Sequence, residues 1–154
     1  MSLDDMKDFI DCYSAVPDDP KTPFIVSHEL AENEDGTHHL SVIVSSHALI
    51  DQILKDPSDK LFQVDFTHGL SCDDFLVCMV GTPNQSQEYC PVCVSITTAE
   101  NRRSTMDILG WVKQNHLGHA KAVMADGAKH ISIAIYKVFG DAVIRLMCYY
   151  HMRK

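Results

Sequence analysis

Asp65 and Asp126 are the residues of this chain whose type and setting could do chemistry together. Asp65 lies in Leu61-Phe62-Gln63-Val64-Asp65-Phe66-Thr67, where apolar and polar residues alternate as in a half-buried strand. Asp126 ends Lys121-Ala122-Val123-Met124-Ala125-Asp126, a second strand-like run. Carboxylates held one strand spacing apart, ~4.8 Å, repel when both are ionised, and a divalent cation relieves that repulsion. Magnesium suits such a pair, because it takes few carboxylates and keeps waters or phosphate oxygens as its other ligands. Two such ions can activate an attacking hydroxyl and stabilise the leaving oxygen of a phosphodiester. The plainer roles are structural: Asp65 as a strand-end residue, Asp126 as an N-cap of the helix that follows.

Positioning the pair requires a sheet. Residues 61–67, 75–81 and 92–97 read as three strands joined by short polar linkers, an antiparallel meander. Thr97-Thr98-Ala99-Glu100 has the capping-box pattern and opens a helix carrying Met106, Leu109, Val112 and Lys113, widened by Ile108 and Trp111 and ending before Gly118. A strand at 120–126, a helix at 127–139 with Ala128, Ile131, Ile135 and Val138 on one face, and a strand at 142–148 complete a β-β-β-α-β-α-β order. Right-handed crossovers favour a mixed α/β sheet of five strands in the order 3-2-1-4-5. The first and fourth strands would then be parallel neighbours, with Asp65 and Asp126 near their carboxyl ends, where open α/β sheets place their ligands.

Residues 1–60 are expected to form an N-terminal extension: an acidic lead-in, a hairpin turning at 33–37 around Gly36, and a short helix capped by Ser45 or Ser46. Leu49, Ile50, Ile53 and Leu54 are its apolar stripe. The 154 residues can bury ~70% of their unfolded surface, so neither disulfides nor metal is needed for a core. Six cysteines at irregular spacing, without a secretory signal, read as reduced thiols in an intracellular protein, and no apolar run reaches membrane-span length. A net charge of −8 with no basic stripe argues against sequence-independent DNA binding by this chain alone.

The stretch from Leu61 to His151, about three-fifths of the chain, resembles the catalytic domain of Mutator-like element (MULE) transposases, of ribonuclease H-like fold. The resemblance rests on Val64-Asp65-Phe66-Thr67, Gly81-Thr82, the Thr-rich turn into Glu100 and Met124-Ala125-Asp126-Gly127. Val138-Phe139-Gly140-Asp141-Ala142 leading to Cys148-Tyr149-Tyr150-His151 completes it, and that final C-x-x-H is its most specific part. It implies a transposase domain at 61–154, metal-dependent DNA strand cleavage and transfer, and a nuclear location. Asp65 and Asp126 would be catalytic residues and ligands for Mg²⁺ or Mn²⁺. Cys148 and His151 would be accessory residues that orient the metal or contact DNA; the plainer reading is a packed Cys and a rim His. The implied partners are DNA, in the full-length protein, and further copies of the chain, with no membrane. The tyrosine usual after the first-strand Thr is His68 here, and the family's third acidic residue, a Glu beyond C-x-x-H, has no counterpart before Lys154. The expectation is therefore a fragment or a degenerate derivative with little or no catalysis. The alternative is a co-opted, non-catalytic ribonuclease H-like domain that binds protein or DNA.

Other candidates carry less. Cys90 and Cys93 with Cys148 and His151 spell a Cys3His zinc set, but the expected strand order separates the pairs. His116 and His119 sit at an expected helix end, and His38 and His39 flank the hairpin, where solvent is expected to cover them. A different metal-dependent hydrolase on a similar sheet would need its third carboxylate from the first 60 residues, such as Glu29 or Asp51.

Overall fold

The computed structural model describes residues 3–55, 60–69, 75–115 and 120–148. Helix α1 (Leu3–Tyr13) is followed by β1 (Phe24–Glu32), β2 (His38–Ser45), α2 (His47–Leu54), β3 (Lys60–Thr67), β4 (Leu76–Pro83) and β5 (Tyr89–Thr97). Then come α3 (Arg102–Gln114), β6 (Ala120–Ala125), α4 (Lys129–Phe139) and β7 (Ile144–Met147). Among the described residues this is a mixed α/β fold with one seven-stranded sheet, ordered β1-β2-β5-β4-β3-β6-β7. Five strands were expected. The two others are the hairpin's, because β2 pairs antiparallel with β5 from Ser41↔Thr97 to Val44↔Val94. Val42 and Ile43 are both buried, which leaves β2 no solvent face on which to stand apart.

β3 pairs antiparallel with β4 and parallel with β6, and β6 runs parallel with β7. Phe62 and Val64 of β3, Val80 of β4 and Val123 of β6 join Ile53, Ile108, Leu109, Val112, Ile131 and Ile135 in one core. Helices α2, α3 and α4 thus contribute to the same core. The Phe62 and Phe139 rings stack at 6.4 Å between centroids, 12° from parallel. On the opposite face, Ile10 of α1 packs with Ile25, Leu40 and Val42. Farther along that face, Asp65 is exposed and Met79 is 40% exposed. β4 is therefore central but not covered on both sides, which its apolar run did not reveal.

Several element ends differ from expectation for local reasons. Helix α3 is capped by Asn101, whose side chain accepts a 3.0 Å hydrogen bond from the Ser104 N–H; the Thr97–Glu100 box is not used. Thr97 Oγ1 instead hydrogen-bonds Ser104 Oγ at 2.9 Å. Ser46 caps α2 through the Leu49 N–H. Leu54, expected in the apolar stripe, is 49% exposed. The hairpin turns on Gly36 at φ +78°, and Gly140 at φ +86° ends α4; both conformations favour glycine.

Candidate functional site

Asp65 sits on β3 opposite Met79 of β4, with its side chain on the face away from α3 and α4. Gln63, Asp65, Met79, Tyr89, Met124 and Cys148 border a groove of about 370 Å³. The β3–β6 pairing ends at Gln63↔Met124. Asp126 follows the last residue of β6, so a register carried two residues on would bring it level with Asp65, but of the two only Asp65 lines the groove. Asp126 has local partners. Its Oδ1 accepts from the Ala128 N–H at 2.8 Å, closing the turn before α4, and its backbone oxygen accepts from Arg145 Nη2. This is a turn-closing role rather than the N-cap of the plainer alternative; the cap position of α4 is Ala128, which makes no side-chain cap bond. Burial pushes the Arg145 guanidinium down, and the nearby Asp126 carboxylate opposes that shift. A carboxylate pair with room for water suits magnesium as a donor set, but only Asp65 borders the groove, and the guanidinium beside Asp126 acts against a cation there because it already lends positive charge.

Cys148 borders the same groove, and its N–H donates to the Ala125 oxygen at 2.8 Å. His151, His116, His119 and Cys72 lie outside the described residues. Cys90 and Cys93 belong to β5, separated from β7 by β4, β3 and β6, a lateral distance of ~19 Å at ~4.8 Å per strand. Cys148 therefore cannot share a zinc ion with them. Burial raises the Cys93 thiol far above its ordinary range, so it stays protonated.

A second group was not expected as a unit. His39, for which a solvated place was expected, is 3% exposed. The β1–β2 register pairs Ala31 with His39 and Glu29 with Ser41, placing Glu29 and His39 diagonally on one face. That face meets α3, where Arg103 and Asp107 stand one helical turn apart. His39 Nε2 lies 2.9 Å from Asp107 Oδ2 and 3.8 Å from Glu29 Oε2, and Arg103 Nη2 pairs with Glu29 Oε1. One ligand atom from each of Glu29, His39 and Asp107 lies within 4.8 Å of the others, so the group could hold a metal ion. The Arg103 hydrogen bond holds the Glu29 carboxyl below its ordinary value, whereas burial pushes Asp107 up against the pull of His39. A cavity of about 630 Å³ borders Glu29 and Asp107, larger than the groove at Asp65.

Glu29 was named above as a conceivable third ligand beside Asp65. It stands on β1, with β2, β5 and β4 between it and β3, so it cannot serve there. Asp51 is exposed on α2, whose Ile53 packs into the core under the other face of β3. A smaller cluster lies past the end of β3: Glu100 accepts from His68 Nε2 at 2.8 Å and stands 3.5 Å from His130 Nε2. Among the described residues no helix is long and apolar enough to cross a membrane. No protein-family model matches the sequence, and no curated protein matches it.

Proposed function

We propose that the chain is part of the catalytic domain of a MULE-type transposase, in which Asp65 and Asp126 hold Mg²⁺ or Mn²⁺ for DNA strand cleavage and transfer in the nucleus. In this reading β5-β4-β3-β6-β7 is the five-stranded ribonuclease H-like unit, and β1-β2 is an edge added to it. The observation that supports it best is the parallel pairing of β3 with β6 up to Gln63↔Met124, two residues short of Asp65, which borders an open groove, and of Asp126, just past the end of β6. When bound, the metal would supply a polarised water or hydroxyl and charge stabilisation for the leaving oxygen. The chain's own part is to present two carboxylates near the carboxyl ends of neighbouring strands and to anchor Asp126 through the Ala128 N–H. Alone, the two carboxylates are expected to bind metal without cleaving DNA.

Titrating millimolar Mg²⁺ into labelled protein should shift the carboxylate resonances of Asp65 and Asp126 together, and Asp126→Asn should weaken the response at Asp65. Silence at both residues would remove the reading.

A second reading, a co-opted non-catalytic domain that binds protein or DNA, draws support from the occupied state of Asp126 and the net charge of −8. A Mn²⁺ response at both carboxylates, lost in Asp126→Asn, would favour the transposase reading; no metal response, with intact binding of a partner, would favour the scaffold.

A further inference from the structure

We propose that Glu29, His39 and Asp107 form a second cation site, selective for a divalent transition metal of the manganese or zinc type, which ties the β1–β2 hairpin to α3. Metal–ligand bonds of ~2.1 Å at octahedral or tetrahedral angles set neighbouring donors ~3.0–3.4 Å apart. The 2.9 Å and 3.8 Å separations from His39 Nε2 bracket that range, and all three donors lie within 4.8 Å of one another, so seating an ion requires the side chains to close in around it. An imidazole among the donors favours manganese or zinc over magnesium, which prefers an all-oxygen shell. His39 is 3% exposed, and its Nε2 contacts Asp107 at 2.9 Å with Glu29 at 3.8 Å, so both carboxylates lie on the side of that nitrogen.

Glu29 divides its oxygens, with Oε1 on Arg103 and Oε2 toward His39. Such outer-shell pairing fixes a ligand's orientation and leaves one oxygen for the metal. The adjoining cavity of about 630 Å³ gives room for waters to complete the shell. Because the ligands come from β1, β2 and α3, an ion here would cross-link elements that are distant in sequence. The rival account is an ion pair between protonated His39 and Asp107 that needs no metal.

Mn²⁺ titration of ¹⁵N-labelled full-length chain separates the accounts and also separates this site from the Asp65 groove. Paramagnetic broadening should centre on the backbone around Glu29, His39 and Asp107, persist under excess Mg²⁺, and accompany a rise in melting temperature. Asp107→Asn should weaken both effects by about tenfold or more; Glu29→Gln, at a half-exposed position, serves if that variant does not fold. Resonances left sharp, broadening cleared by Mg²⁺, or broadening unchanged in the folded variant would each overturn the site. Broadening at Asp65 and Asp126 is read separately and bears only on the transposase proposal.

Discussion

Tyr89 and Gly81 show how single residues shape the groove beside Asp65. Tyr89 borders the groove, and a Cβ added at Gly81 would overlap its ring. Gly81 is thus required for the ring's close approach across the β4–β5 bulge. Gly81→Ala should push the ring outward, at a cost of about 1–2 kcal/mol because the obstructed atoms lie at the end of a half-exposed side chain. Chemical denaturation would measure the cost, and ring NMR the displacement. Burial above all pushes the Tyr89 phenol up to about 12. The unfolded chain ionises first, so this residue's contribution to stability is present below pH ~10 and lost as pH rises toward 12. Phenolate absorbance should titrate late in the wild type and nearer the ordinary tyrosine value in Gly81→Ala. A late titration persisting in that variant would show that Gly81 does not control the ring.

Among the elements, α3 matters most, because it carries Asp107 and Arg103 and closes the core. Its start tests which cap is real. Asn101→Ala should cost about 1 kcal/mol through loss of the Ser104 N–H bond. Glu100→Gln should leave the helix cap intact and loosen only the pairings with His68 and His130; equal losses would restore the capping box. The capping-box pattern at Thr97–Glu100 drew the expected start one turn too early, and the Asn101 cap was not anticipated. Packing of Thr97 Oγ1 onto Ser104 decided it. For β3, Phe62→Ala should cost about 3–5 kcal/mol, because its fully buried ring stacks on Phe139 and a cavity would remain between sheet and α4. Thermal or denaturant unfolding would measure it.

At the scale of the whole molecule, charge limits what the chain can hold by itself. With 21 acidic residues against 13 basic ones, few phosphates can be neutralised. Duplex DNA at physiological salt should therefore bind more weakly than ~10⁻⁴ M, with a shallow salt dependence. Fluorescence anisotropy with a labelled duplex would check this; tight, steeply salt-dependent binding would point to a basic surface that the composition conceals.

The local signals were legible in the sequence: alternation in β3, helical periodicity in α3 and α4, and glycines at the hairpin turn and the end of α4. These follow from backbone geometry and side-chain period, which neighbouring residues alone determine. Those signals suffice for an α/β class and for Asp65 on the opposite side of its strand from Phe62 and Val64. Only the tertiary structure decided that the hairpin joins the sheet through β2 and β5, or that His39 is buried against Asp107, 68 residues away. Long-range pairing depends on which surfaces remain apolar after each element forms, and nothing in the sequence near His39 encodes the helix that will cover it.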